Sequence, residues 1–120
     1  MRRPEDRLAD EVFPRIGWLP GVLVIDLRKV GLFAPVYRDR KTGETAYGPP
    51  VRIGVEGQPD FLVLVDGLGL GLEMKAVDGR NRVEPNQAAC HAAWERMGTP
   101  VRVVRSVEEA VQAIEERRRA

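Results

Sequence analysis

The sequence predicts an α/β domain, and three observations lead to that expectation. Helical patterns occupy residues 4–13, 85–97 and the stretch from Ser106 to the C-terminal end. Between them lie short runs dense in β-branched and aliphatic residues: Val22–Ile25, Phe61–Val65, Leu70–Ala76 and Val101–Val104. The two kinds of segment alternate in the order α, β, candidate hairpin, β, β, α, β, α. At 120 residues the chain fits one compact domain with one core.

Each element has a local reason. In the first helix Pro4 suits a first-turn position, where its missing N–H costs nothing. Glu5 and Asp6 favour the positive end of the helix dipole, Leu8 and Val12 share a face, and Pro14 with Gly17 is expected to end it. Trp18 to Gly21 reads as a turn into the strand Val22–Ile25. Residues 31–50 are the least regular, with Thr42-Gly43 marking a hairpin tip, Gly48-Pro49-Pro50 closing it and Val51-Arg52-Ile53 a short strand. Asp66-Gly67 signals a tight hairpin between Phe61–Val65 and the returning strand. Asp78-Gly79 marks a further turn. Glu84 is the expected N-cap of the middle helix, with Pro85 at its first position, Gln87 at its third and Gly98 just past its end. Ser106 and Glu109 form a capping box for the last helix, which turns Val107, Ala110, Val111 and Ile114 to one side. Arg117-Arg118-Arg119 complements its C-terminal dipole.

Composition excludes several function classes. Net charge is +1, so any polyanion contact must come from local patches. The lone cysteine, Cys90, cannot form an internal disulfide and suits a reducing cytoplasm. No apolar stretch approaches the ~20 residues of a bilayer span, and no signal-peptide segment follows Met1–Asp6. With one histidine, His91, a His-based catalytic pair or zinc site has little support, and a packed or partly exposed side chain is the expectation. Gly67, Gly69 and Gly71 precede a strand, not a helix, so they do not form a phosphate loop.

The chemistry concentrates in Gly57-Gln58-Pro59-Asp60 and Glu73-Met74-Lys75. Phosphodiester hydrolysis needs an activated water and a stabilised leaving oxygen, which Mg²⁺ held by oxygen ligands supplies. Alternation on the strand sets Glu73 and Lys75 on one face and Leu72 and Met74 on the other. The hairpin brings Asp60 toward Glu73, and the backbone carbonyl of Met74 is a further candidate ligand. The competing account is bland: charged pairs decorate edge strands for solubility, and Asp60 after proline is a common turn residue. Apolar flanks favour a central strand. On the middle helix Gln87, Cys90, His91, Trp94 and Met97 fall along one side, expected to face the core. Gln87 is either an inward-projecting site residue or the partner in a capping box. Arg38, Arg40 and Lys41 are either phosphate contacts or a solvated loop tip, with the latter favoured.

With these residues in view, the chain resembles the VRR-NUC family of the PD-(D/E)xK nuclease superfamily. The resemblance is carried by Lys29-Val30-Gly31, Arg52-Ile53-Gly54, Gly57-Gln58-Pro59-Asp60-Phe61, Glu73-Met74-Lys75, Gly79-Arg80, Pro85-Asn86-Gln87 and the Met97–Ser106 stretch. It implies a restriction-endonuclease-like core, a mixed central sheet flanked by helices, over residues 1–120. It implies Asp60 and Glu73 as ligands of Mg²⁺ or Mn²⁺, Lys75 as the catalytic lysine and Gln87 as the helix-borne glutamine. It also implies an acid from the first helix, for which Glu5 matches best and Glu11 is second. The implied activity is cleavage of DNA, of branched form such as a Holliday junction, by a homodimer. A non-cleaving DNA-binding module of the same fold is the alternative. The family's usual Ser or Thr before the helix proline is replaced here by Glu84, which still accepts backbone hydrogen bonds.

Overall fold

A computed structural model describes residues 3–28, 31–33, 36–38, 40–47, 51–53, 57–76 and 83–120. The elements run α1 (Pro4–Ile16), β1 (Val22–Asp26), β2 (Gly31–Phe33), β3 (Val36–Arg38), β4 (Thr45–Tyr47), β5 (Val51–Ile53), β6 (Phe61–Val65), β7 (Leu68–Met74), α2 (Pro85–Arg96), β8 (Val101–Val104) and α3 (Val107–Arg118). The expected turns at Gly48-Pro49-Pro50 and Asp78-Gly79 lie outside the described residues, as do Lys29, Val30, Gly54 and Arg80 of the family-like segments.

The central sheet is ordered β1-β6-β7-β8. β1, β6 and β7 are antiparallel neighbours, whereas β7 and β8 run parallel. The mixture follows from the connections. Asp66 at φ 50° and Gly67 at φ 85° make the two-residue turn that sends β7 straight back along β6. A crossover through α2 returns the chain parallel to β7, as a β-α-β unit must. β7 therefore has a strand on each side, and the edge-strand account of Glu73 and Lys75 does not hold.

One face of this sheet forms the core. Phe61, Val63 and Val65 of β6 lie opposite Leu72, Leu70 and Leu68 of β7, and all but Leu68 are buried. Ala9, Val12 and Ile16 of α1 and Val107, Ala110, Ala113 and Ile114 of α3 cover them. Each fully buried large side chain contributes about 1.5–3 kcal/mol of transfer free energy. Ile16 also explains why α1 outruns its expected end at Pro14. The proline removes one backbone donor inside the helix, but the next turn is held by an Ile16 side chain with no exposed surface.

The opposite face carries α2, and here the expectation needs correcting. The side of α2 that holds Gln87, Cys90, His91, Trp94 and Met97 does not enter the core: no α2 residue is buried, and Met97 is 84% exposed. The helix instead rests over β7 and β8. Room for it comes from Gly71, where an added Cβ would lie 3.2 Å from Trp94 Cε3 and 3.0 Å from Pro59 Cγ and Val101 Cγ2. Cys90 is accordingly half-buried rather than packed away.

The candidate hairpin is present as two antiparallel pairs, β2 with β5 and β3 with β4. Gly43 takes φ 75° in the turn, and Arg40 and Lys41 beside it are exposed. In α3, Ser106 Oγ accepts from the Glu109 N–H at 3.1 Å. The terminal arginines do more than complement a dipole. Arg117 donates to the Gly69 and Gly98 carbonyls and Arg118 to the Pro20 carbonyl and Asp66, tying the end of α3 to the sheet's turns.

Candidate active site

Proline at position 59 interrupts the β6–β7 ladder at the decisive place. Phe61 pairs with Leu72, so continuing the register by two residues sets Pro59 opposite Met74. Proline has no N–H to offer the Met74 carbonyl. The Met74 N–H, for its part, donates to the next side chain, with Asp60 Oδ2 accepting at 2.7 Å. Asp60's own carbonyl accepts from the Leu27 N–H at 2.8 Å, which fixes its backbone to the β1 side. The Pro-Asp pair thus leaves the Met74 carbonyl without its ladder donor and sets a carboxylate against the end of β7.

Glu73 on β7 and Lys75 just past its end follow, facing α2, and both are buried, at 3% and 6% exposure. Few charged residues are this buried without a partner, and both have partners. Gln87 Oε1 accepts from Lys75 Nζ at 3.0 Å, and Gln87 Nε2 donates to Glu73 Oε1 at 3.4 Å. The same Oε1 accepts from the Glu84 N–H at 3.0 Å. The two readings of Gln87 are therefore one arrangement: the helix cap holds the amide in the plane that bridges the ammonium and the carboxyl.

Gly57 sets the distance between these parts. Its φ is 85°, and a Cβ there would stand 2.4 Å from the Asn86 carbonyl oxygen and 3.0 Å from Gln87 N. The Gly57–Asp60 loop thus touches the first turn of α2 through backbone alone, which a side chain would prevent.

The Glu73 carboxyl is pushed up from the ordinary 4.5 to about 9, first by burial, then by its hydrogen bond with Asp60 and that group's negative charge; Lys75 opposes the shift. A divalent cation beside the two carboxyl groups would offset the negative charge that raises the Glu73 value. The donor set therefore suits Mg²⁺ or Mn²⁺, which is commonly held by one or two carboxylates with water and substrate oxygens completing the shell. Among the described residues no three His, Cys, Asp or Glu side chains form a group that could hold a metal ion.

α1 brings its acids to different places. Glu5 adds to the negative field at Glu73 and stands 3.8 Å from Arg3, which itself feels Asp60. Glu11 lies farther along, in a cleft with Arg7, Lys75 and Arg105. His91 is nearer the carboxylates than its sequence context suggested. Its Nε2 lies 3.7 Å from Glu73 Oε1, buried and without a hydrogen bond, and burial with Lys75 nearby lowers its pKa. The available signal was its position four residues after Gln87 on one helix face.

No protein-family model matches the chain, and no curated protein does. Among solved structures the chain is similar to one described as "VRR_NUC domain", with a TM-score of 0.57 and 22% identity over 95% of this chain and 97% of that one. The likeness covers nearly the whole of both chains and is one of fold. The chain has the α/β fold of a VRR-NUC domain, restriction-endonuclease-like in its mixed sheet and flanking helices.

Proposed function

We propose that the protein is a metal-dependent endodeoxyribonuclease of the VRR-NUC family, acting on branched DNA as a homodimer. The observation that carries this reading is the convergence of Asp60, Glu73, Lys75 and Gln87, from a loop, a central strand and a helix, on one sheltered point. The VRR_NUC likeness supports the nuclease chemistry.

In this reading Asp60, Glu73 and the Met74 carbonyl would hold Mg²⁺ or Mn²⁺, and Glu5 would complete the acidic side from α1. The ion supplies Lewis acidity, lowering the pKa of water and offsetting charge on the leaving oxygen. Lys75 faces the same point as a compact cation, positioned to orient the attacking water or to offset charge on the phosphate. Gln87 keeps the Lys75 ammonium and the Glu73 carboxyl at a fixed separation, so neither rearranges during the reaction. Water oxygen joins phosphorus as one ester oxygen leaves, giving a phosphate monoester and a hydroxyl.

The exposed apolar residues Leu23 and Ile25 on the α2 side of the sheet support a pairing of two copies. The test is cleavage of a labelled four-way DNA junction with Mg²⁺ or Mn²⁺ against an EDTA control. Lys75→Ala or Asp60→Ala should lower the rate by at least about 10²-fold while circular dichroism stays native. Unchanged cleavage in either variant rules out the mechanism. Binding without cleavage in any divalent metal would favour the non-cleaving module.

A further inference from the structure

A cleft of about 430 Å³ opens beyond the carboxyl end of β7, lined by Pro4, Arg7, Leu8, Glu11, Lys75, Ala76 and Arg105. Its position follows from topology. β7 and β8 run parallel and end side by side, Ala76 and Arg105 come just after them, and α1 forms the opposite wall. A crevice outside the carboxyl ends of parallel strands is where open α/β sheets take ligands. Its volume falls in the range of about 300–1,000 Å³ typical of sites for small molecules.

Its charge is unlike that of the whole chain. Three cations, Arg7, Lys75 and Arg105, face one acid, Glu11, whereas the net charge over 120 residues is only +1. Arg105 is held in place: its Nη1 donates to the Ala76 carbonyl at 2.6 Å. A guanidinium has five N–H donors and this bond uses one. Lys75 belongs both to the cleft and, through Gln87, to the carboxylate cluster, so the two spaces adjoin. Pro4, Leu8 and Ala76 add apolar surface suited to sugar carbons.

We infer that this cleft seats the phosphodiester backbone of the cleaved strand next to the scissile phosphate, with Arg7 and Arg105 as phosphate contacts and Glu11 as an opposing charge. The inference rests on the nuclease reading and adds to it a path for the strand. Neither arginine takes part in bond making. Each positions the substrate, and the loss of either weakens binding without touching the chemistry.

The test uses the full chain and a fluorescein-labelled splayed-arm DNA, with binding measured by anisotropy in EDTA across a salt series and cleavage measured in Mg²⁺. Arg7→Gln should weaken binding about tenfold at moderate salt. It should also lower the slope of log K against log salt by about one, and raise KM with kcat unchanged. Glu11→Gln should strengthen binding, a change of opposite sign that a merely structural role does not produce. Inorganic phosphate serves as the competing probe: if Arg7→Gln weakens phosphate binding but leaves the DNA slope unchanged, the cleft takes free phosphate and the inference is overturned. If wild type cleaves and both variants bind and cleave like it, the inference fails and the nuclease reading stands. If wild type neither binds nor cleaves DNA, both fail together.

Discussion

Glu73 is an acid placed where its charge is costly. Burial and Asp60 hold its proton up to about 9, against an ordinary value of 4.5. Because the folded value lies above the unfolded one, the folded chain binds an extra proton between those two pH values. The stabilisation from that proton is complete below about pH 4.5 and is lost as pH rises through about 9. Metal-free protein should therefore lose Tm between pH 5 and pH 9 more steeply than the Glu73→Gln variant, which carries no titrating group at that position. At pH 8 in EDTA the variant should be the more stable of the two and should not cleave in Mg²⁺. Added Mn²⁺ should raise the wild-type Tm more at pH 8 than at pH 5, because cation and proton compete for the same oxygens. Parallel Tm profiles for the two proteins in EDTA would contradict this account. At this scale the sequence was legible where chemistry is written in residue type: Asp60, Glu73, Lys75 and Gln87 were each recognisable, and the structure brings these four together. His91 was legible only through its place four residues after Gln87 on one helix face, since a lone histidine does not itself say what it touches. Its approach to Glu73 depends on how far α2 slides over Gly71, which is a matter of packing.

The site is also a property of how elements meet. Strand alternation sets Glu73 and Lys75 on one face, the proline interrupts the ladder, and α2 delivers Gln87 only because its first turn can touch the Gly57 backbone. Gly57→Ala should therefore act twice. A left-handed φ costs a non-glycine residue about 1–2 kcal/mol, and the new methyl meets the Asn86 carbonyl. Tm should fall, and metal-dependent cleavage should fall further than the loss of folded protein explains, since Gln87 is displaced from Lys75. A cleavage rate that only tracks the folded fraction would mean the contact is structural. The order of elements was legible from periodicity, and the hairpin from Asp66-Gly67. The end of α1 was not, since Pro14 is a local stop signal and the burial of Ile16 that outweighs it is tertiary. The surroundings of α2 were misread for a related reason. Apolar spacing identifies a helix face but not whether a second layer covers it.

For the whole molecule the consequence is an unequal sheet. Its α1–α3 face is closed, while the α2 face is covered over β7 and β8 and leaves Leu23 at 58% and Ile25 at 39% exposure. These two lie opposite Leu64 and Leu62, so the four aliphatic side chains form one surface. Trp94, Met97 and Thr99 extend it beside Leu62. An apolar surface of this kind is costly in water, and pairing of two copies about a two-fold axis would bury the same patch on each. Pairing through it would set two copies of the Asp60–Glu73–Lys75 site in fixed relation, as symmetric incision of a four-way junction requires. Light scattering after size exclusion should give twice the 13.4 kDa chain mass for wild type. Leu23→Asp combined with Ile25→Lys should return the mass to 13.4 kDa without unfolding, because neither side chain belongs to the core. That monomer should still nick splayed-arm DNA in Mg²⁺, since each site is built from one chain, but should lose paired incision of the junction. A wild type that stays monomeric at tens of micromolar, or a double variant that still pairs, would move the interface elsewhere and leave this face to another partner.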